Sequence, residues 1–323
     1  MAMMKHGLSL LLMLCASCAW AQPSGDFAFG VIGQPARGQN TPNESAPLEQ
    51  ALSESDGDSL AFVAVDGFKR ADEPCGDDLY NQRFNLLANA KNGVILVPAG
   101  SDWSDCRNPA GKQDSLERLE RLRDQFYPDE FSLGASKIPL IRQSITPKFR
   151  IYAENVRWEV GNVLFTSLNL PAANNRYRTE AGRNSEFEDR AIATREWLHR
   201  SFANARFKSM AGVVLICDGD PLAKPIKGVQ RDGFAEVRQQ LMQLAGKFPG
   251  KVLVIHNHVE TRAQQALPQQ NATRPGIVWH GNLGELELSG DWTKISVKAA
   301  GPAAALFSAA PGGPQPNQAT PDK

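Results

Sequence analysis

Four segments of the chain share one arrangement, in which a short apolar run is followed by a loop carrying Asp, Asn, Gln or His. They are residues 27–35 (FAFGVIGQP), 61–69 (AFVAVDGFK), 94–106 (VILVPAGSDWSDC) and 251–260 (KVLVIHNHVE). Such runs are typical of buried strands, and in α/β folds sites form at the carboxyl ends of strands. Asp, Asn and His presented in this way are typical metal ligands. The pattern therefore predicts a metal or ligand site where these strand ends meet.

Two histidines are the first candidates for metal ligands. His256 and His258 are separated by one residue at a strand end, and in an extended backbone that spacing turns both rings to one side. Imidazole suits Mn, Fe, Zn or Ni, so the expected cofactor is a divalent transition metal such as Mn, Fe or Zn, or none. In the alternative interpretation, His256 is buried and hydrogen-bonded and His258 is merely exposed.

Three aspartates near the ends of apolar runs are further candidates for the metal site: Asp66, Asp102 and Asp218. Asp218 and Asp220 share one face of an extended loop and could bind a hard cation through oxygen. Turn chemistry at Gly219 favours a plain polar loop instead. For Asp102 a solvated loop, locked at Cys106, is an equally good interpretation.

One loop is rich in basic residues and contains Arg176, Arg178 and Arg183. Guanidinium groups bind phosphate or carboxylate bidentately. Nothing in the sequence fixes their direction, which favours a solvated loop. Trp103 is expected to be a packed anchor beneath its own loop.

The composition is that of an ordinary globular protein without charge bias. The chain has 323 residues, 42% of them hydrophobic and 22% charged, and its formal net charge is zero. Nucleic-acid binding needs a basic field, so nucleic acid is not an expected partner. The sequence contains no Gly-x-Ser-x-Gly elbow, Walker loop, Rossmann glycine fingerprint or His-Glu-x-x-His motif, which leaves no other familiar catalytic set.

The N-terminus is typical of a secretory signal peptide. Lys5 and His6 precede an apolar run from Leu8 to about Cys18, and small residues stand before Gln22 at the cleavage-site spacing. The run is too short to span a membrane. We therefore expect residues 1–21 to be removed and the mature chain, with no integral membrane segment, to be periplasmic or secreted.

Export changes the interpretation of the cysteines. The mature chain keeps Cys75, Cys106 and Cys217, and an oxidising compartment permits a disulfide. Cys75 and Cys106 are the natural pair, because each stands just beyond one of the first strand-like runs. Cys217 ends a buried run and is expected to be an inert core thiol. The alternative is three free cysteines.

The order of elements predicts an α/β fold. Strand-like runs alternate with helical patterns, and hairpin signals are added between them. This order favours an α/β sandwich with two central sheets and helices outside. The expected domain covers residues 22–298. Residues 299–323 are rich in Ala, Pro and Gly, which predicts a disordered tail.

From about Phe27 to about Gly290 the chain resembles the calcineurin-like metallophosphoesterases of the exported bacterial type. Pro98, Trp103, Asp105 and Cys106 match the family's third motif in that variant. The resemblance implies a four-layer α/β/β/α sandwich of the metallo-dependent phosphatase type. It also implies a pair of metals that activate water and hold a phosphate ester.

Most of the family's metal ligands are replaced in this sequence. Gln34 stands where the first motif has Asp, and the Gly-Asp of the second motif is inverted to Asp66-Gly67. The third motif reads Ala99-Gly100-Ser101-Asp102 instead of Gly-Asp-Asn-Glu. The run at 212–217 ends in Asp218-Gly219-Asp220 rather than His, and residues 256–260 (HNHVE) depart from Gly-His-x-His.

These departures lead to three hypotheses about function. In the first, the protein is an exported metallophosphoesterase-like protein with a degenerate metal site that binds a partner protein or a small anionic ligand. In the second, it is an active hydrolase whose metals are held by a rearranged set of ligands: Asp66, Asp102, Asp218, His256 and His258. In the third, it is an unrelated interaction module.

Overall fold

The computed structural model describes residues 25–34, 46–178, 184–223, 231–257, 276–288, 292–299 and 305–312. Its strands are β1 (Phe27–Ile32), β2 (Val63–Asp66), β3 (Val94–Val97), β4 (Ile141–Arg142), β5 (Val156–Val160), β6 (Val163–Ser167), β7 (Gly212–Ile216), β8 (Lys251–Asn257), β9 (Val278–His280), β10 (Leu283–Leu288), β11 (Trp292–Val297) and β12 (Phe307–Pro311). Its helices are α1 (Ala46–Asp56), α2 (Asp77–Ala88), α3 (Gly100–Trp103), α4 (Ser115–Phe126), α5 (Ser185–Phe207) and α6 (Ala235–Gly246).

The α/β class predicted from the sequence is confirmed. The strands form a five-stranded sheet in the order β12-β11-β1-β2-β3 and a seven-stranded sheet in the order β4-β5-β6-β7-β8-β10-β9. In the first sheet β1, β2 and β3 run parallel. In the second sheet β6, β7, β8 and β10 run parallel, and antiparallel strands flank them. Both sheets are therefore mixed.

Aromatic rings from the two sheets contact each other in one core. The ring of Phe165 on β6 lies 5.0 Å from that of Phe29 and 4.9 Å from that of Phe62, measured between centroids. Trp158 on β5 stacks on Phe165 at 5.4 Å. Edge-to-face and offset pairs at these distances add to the stabilisation from apolar burial. The faces that meet here are called the inter-sheet faces below.

Strand residues alternate between the inter-sheet faces and helix-covered faces. On β2, Ala64 belongs to the inter-sheet core and Val65 packs with residues of α1, α2 and α4. On β8, Ile255 belongs to the inter-sheet core and Val254 packs with residues of α5 and α6. Since side chains alternate with a period of two, this pattern fixes the direction of each side chain at the strand ends.

The C-terminal segment corrects the expectation of a disordered tail from residue 299. Phe307–Pro311 forms β12, which pairs antiparallel with β11. Leu306 and Phe307 are buried in the inter-sheet core. These two large apolar side chains and the ladder hydrogen bonds outweigh the Ala/Pro/Gly composition. Residues 1–24, 300–304 and 313–323 lie outside the described residues, as does the predicted signal peptide.

In the part of the chain that the structure describes, no helix combines the length and the apolar character needed to cross a membrane.

Candidate functional site

The carboxyl ends of β2, β7 and β8 bring three polar side chains to one place, called the central edge below. Each stands two residues after a side chain of the inter-sheet core: Asp66 after Ala64, Asp218 after Ile216, and Asn257 after Ile255. The two-residue period of a strand gives all three the same direction. The three strand ends therefore converge at one end of the inter-sheet core.

Asn257 links the three strand ends through its side-chain amide. Its Oδ1 accepts a hydrogen bond from the backbone N–H of Gln34 at 2.9 Å. Its Nδ2 donates to the carbonyl of Asp66 at 3.2 Å and to Oδ1 of Asp218 at 3.1 Å. A buried amide with its donors and acceptor engaged in this way fixes the spacing of the strands.

Gln34 and Ser101 extend this network to the loop after β2. The Gln34 amide donates to the carbonyl of Lys69 at 3.0 Å and to the Ser101 hydroxyl. That hydroxyl donates to the same Lys69 carbonyl at 2.9 Å. Gly67 has φ +84°, and a Cβ there would lie 2.5 Å from Nε2 of Gln34. The inverted Asp-Gly pair therefore gives the network the space that it needs.

Asp102 holds two loops together through backbone amides. Its Oδ1 accepts from the N–H groups of Phe68 and Lys69 at 3.1 and 3.2 Å, and its Oδ2 accepts from Ala99 N–H at 2.8 Å. The side chain is completely buried, and this burial raises the pKa of Asp102 to about 7 despite these bonds. The interpretation of Asp102 as part of a solvated loop is wrong, because its carboxylate clamps the loops after β2 and β3.

Asp218 is also held by backbone amides. Its Oδ2 accepts from Gly100 N–H at 2.7 Å and from Ala172 N–H at 2.8 Å. Burial raises the pKa of this carboxyl, and the donors oppose the shift. The interpretation in which Asp218 and Asp220 bind one cation together is not supported, since Asp220 lies near His256 on the other side of β8.

Asp66 differs from its neighbours because no described residue donates a hydrogen bond to either of its carboxylate oxygens. It is 0% exposed. Burial raises its pKa well above the ordinary range, and the charges of Asp218 and Asp102 raise it further. The protonated form of the carboxyl is therefore favoured, as expected for an acid without a nearby cation.

The disulfide predicted between Cys75 and Cys106 is confirmed, with the Cα atoms 5.7 Å apart. It joins the segment before α2 to the loop that follows α3. Cys217 is a free, buried thiol whose pKa is raised by burial, in agreement with an inert core residue. The disulfide therefore anchors the segment directly after α3, the helix that carries Asp102.

His256 points away from the central edge. It is adjacent to Asn257, which occupies the inter-sheet face, so its ring lies on the opposite face of β8. There its Nε2 lies 3.2 Å from Oε1 of Glu285 and 3.8 Å from Oδ1 of Asp220. His256 is therefore not brought together with Asp66, Asp102 and Asp218. His258 lies outside the described residues.

Asp220, His256 and Glu285 form a compact group of possible metal ligands, called the outer triad below. Their ligand atoms lie within 4.8 Å of one another, and no other described group of three His, Cys, Asp or Glu residues is this compact. Glu285 has no signal in the sequence beyond the alternation of its strand (GELEL). Only the adjacency of β10 and β8 could have identified it.

Trp103 is the packed anchor that the sequence predicts, and two arginines cover its ring. Trp103 is 0% exposed, and its Nε1 donates to Oδ1 of Asn169 at 3.2 Å. The guanidinium carbons of Arg176 and Arg190 lie 5.1 and 5.7 Å from the ring centre. Arg176 also pairs with Glu186 at 3.0 Å. The expectation of a solvated basic loop is therefore wrong for Arg176, because stacking and ion pairing both hold it.

Residues 174–176 form a left-handed turn beside Trp103, and this turn forms part of the wall of a cavity. Asn174, Asn175 and Arg176 have φ values of 48°, 52° and 55° in succession. Asn adopts this region with little cost, whereas Arg does so rarely. The backbone and side chain of Asn175 accept hydrogen bonds from the buried guanidinium of Arg190. These bonds stabilise the unusual turn.

The cavity has a volume of about 630 Å³. It lies between the loop after α3 and the left-handed turn, and its polar lining residues are Ser104, Asp105, Arg107, Gln113, Arg176, Tyr177 and Arg178. Arg178 donates to the side chain of Gln113, and Arg107 donates to the carbonyl of Gly111 at 3.0 Å. Three of these residues are arginines and one, Asp105, is a carboxylate, so positive charge is in excess in the cavity.

No family model matches the chain, and no curated protein matches it. Among solved structures, a similar chain is "GAP50 the anchor in the inner membrane complex of Plasmodium", with 8% sequence identity and a TM-score of 0.49 over 91% of this chain and 90% of that one. A similarity of this degree carries no inference about function.

Proposed function

We propose that this chain is an exported metallophosphoesterase-like protein whose central metal site is degenerate and whose function is binding rather than phosphoester hydrolysis. The proposed fold is the four-layer α/β/β/α sandwich of the metallo-dependent phosphatase type. Supporting it are two sheets that share one core and helices that cover the other face of each sheet. The disulfide fits an oxidising compartment and supports a periplasmic or secreted location.

The observation that carries the proposal is the hydrogen-bond network of the central edge, in which every polar side chain except Asp66 has partners. The Asn257 side chain bonds to the backbone of Gln34 and of Asp66. The Gln34 side chain donates to the Ser101 hydroxyl and to the Lys69 carbonyl. The carboxylates of Asp102 and Asp218 accept backbone N–H groups. Paired divalent metals need several charged or imidazole ligands with free lone pairs. The residues of the central edge do not fit such a pair.

We expect the chain lacking residues 1–21 to show no turnover of phosphomonoesters or phosphodiesters above the buffer rate with Mn²⁺, Fe²⁺ or Zn²⁺. The physical reason is that no pair of metals has a ligand set at the central edge. The measurement is a colorimetric screen with an active metallophosphoesterase as positive control. Metal-dependent turnover that Asp218→Asn abolishes would contradict the proposal and support the active hydrolase.

The arginine-lined cavity supports binding of a small anionic ligand. The side chains of Arg107 and Arg178 donate hydrogen bonds to the Gly111 carbonyl and to the Gln113 side chain. A guanidinium has five N–H donors in a geometry that suits phosphate or carboxylate. Asp105 lies in the same cavity and would disfavour a second negative charge near it. A ligand with one compact anionic group fits best.

We expect inorganic phosphate to bind in this cavity and Arg178→Gln to weaken the binding by about tenfold, because one charge-assisted hydrogen bond is worth about 1.5 kcal/mol or more. The measurement is NMR or calorimetric titration at low ionic strength. Arg195→Gln, at an exposed position of α5, is the matched control. Equal affinity in both variants would rule out this cavity.

A further inference from the structure

The outer triad lies on the face of the seven-stranded sheet that is turned away from the central edge. His256 comes from β8, Glu285 from the neighbouring β10, and Asp220 from the loop after β7. The imidazole is 2% exposed, and the carboxylate side chains are 19% and 30% exposed. The group therefore has a buried nitrogen ligand and two oxygen ligands that reach solvent.

The spacing of the ligand atoms matches a small divalent cation. Zn–N and Zn–O bonds are about 2.0–2.2 Å long, so two ligand atoms of a tetrahedral site lie about 3.3–3.6 Å apart. In the outer triad, Nε2 of His256 lies 3.2 Å from Oε1 of Glu285 and 3.8 Å from Oδ1 of Asp220. These two distances differ from the tetrahedral spacing by only a few tenths of an ångström, and the third pair of ligand atoms lies within 4.8 Å.

The second nitrogen of His256 gives an independent indication. Its Nδ1 lies 2.9 Å from the carbonyl oxygen of Asn257. A carbonyl only accepts hydrogen bonds, so Nδ1 carries a proton and, in the neutral ring, the lone pair of Nε2 faces two carboxylates. Three acceptors that face one another require a proton or a metal between them. A backbone carbonyl on the distal nitrogen is also the usual second partner of a metal-bound histidine.

Other contacts of the triad leave its ligand atoms accessible. Oδ1 of Asp220 accepts the backbone N–H of Leu222 at 2.7 Å, which orients this carboxylate without removing its remaining lone pairs. No Lys or Arg makes an ion pair with Asp220 or Glu285 among the described residues. The two carboxylates therefore have His256 as their partner.

We infer that the outer triad is a binding site for one divalent transition cation, with Asp220, His256 and Glu285 as ligands and a solvent-facing position left for water. A mixed nitrogen and oxygen set of this kind suits Zn²⁺ or Mn²⁺. The site is separate from the central edge and does not depend on the proposed function. By joining β8, β10 and the loop after β7, the cation would also stabilise this edge of the sheet.

The test uses the chain lacking residues 1–21, stripped with a chelator and titrated calorimetrically with Zn²⁺ alone. We expect about one equivalent to bind, with affinity lowered by about 100-fold or more in His256→Gln and Glu285→Gln. His199→Gln, at an exposed histidine of α5, should bind as the parent chain does. Circular dichroism checks that each variant is folded. If His256→Gln is unfolded, Asp220→Asn and Glu285→Gln carry the test, since both side chains are partly exposed.

Substitution with Co²⁺ gives a second readout. Visible absorption bands typical of a nitrogen and oxygen ligand set should appear in the parent chain and in His199→Gln and be lost in Glu285→Gln. Absence of saturable binding in the folded parent chain would overturn the inference. A proton would then lie between His256 and the two carboxylates in place of a metal. Zn²⁺ affinity in Glu285→Gln and Asp220→Asn that is unchanged from that of the parent chain would overturn it as well. Neither outcome affects the phosphoesterase screen, so the two proposals fail separately.

Discussion

Asp66→Asn is expected to raise the free energy of unfolding at pH 8 and to reduce its decline between pH 5 and pH 8. The reason is that Asp66 is fully buried and no described residue donates to its oxygens, while its pKa is raised well above 3.8. Asn has nearly the same shape and cannot ionise. As the pH rises above the unfolded pKa, the advantage of Asn over Asp in the free energy of unfolding should grow by about 1.4 kcal/mol for each pH unit, until the folded pKa is reached.

The sign follows from proton uptake. A carboxyl whose pKa is higher in the folded state binds more protons there, so its favourable contribution is complete below about pH 4 and is lost as the pH rises towards the folded pKa. Asp102, with a pKa raised to about 7 by burial, acts in the same direction. Wild type should therefore be more stable at pH 5 than at pH 8.

Urea unfolding at pH 5, 6, 7 and 8 measures both effects. Asp124→Asn, an exposed aspartate of α4, is the matched control and should leave the pH profile unchanged. A profile for Asp66→Asn that runs parallel to wild type would show that Asp66 is not the group that takes up the proton. Loss of stability at every pH would indicate that a bound cation or an ionised Asp66 stabilises the native state.

Removal of the Cys75–Cys106 disulfide should lower the free energy of unfolding by about 3–4 kcal/mol. The bond closes a loop with a sequence separation of 31 residues, and in the chain-entropy model a loop of this size gives that value. The double variant Cys75→Ser/Cys106→Ser tests it by urea unfolding. Reductant should lower the stability of wild type by a similar amount and leave the double variant unchanged.

A matched control uses Cys217, the free cysteine among the described residues. Cys217 is free and buried, so Cys217→Ala keeps the disulfide and should still respond to reductant. If the double variant unfolds at the same urea concentration as wild type, the disulfide does not constrain the unfolded chain as the entropy model requires.

Sequence patterns were sufficient for the class of fold because the signals are local. The apolar runs at β3 and β7 are bounded by Gly and Pro, and the Gly161-Asn162 turn joins β5 to β6. The strand β12 was missed because only Leu306 and Phe307 stand out in an Ala/Pro/Gly-rich segment. Its stability comes from pairing with β11, a partner that no local pattern reveals.

The candidate site was predictable in place but not in detail. The end of β2 is buried on both faces, so no polar alternation in the sequence shows which way Asp66 points. The separation of His256 from Asp218 follows from a one-residue difference in strand face. The outer triad depends on β10 lying beside β8, which is a property of the sheet order.

The pairing of β12 with β11 also has a consequence for self-association. With β12 in place, β11 has a hydrogen-bonding neighbour on each side, β1 and β12. A chain truncated before residue 305 would leave β11 as an open edge that carries Trp292 and Ile295, both buried in the intact protein. Open edges with apolar side chains are templates for intermolecular β-pairing. We therefore expect a chain that lacks β12 to aggregate more readily than the intact protein.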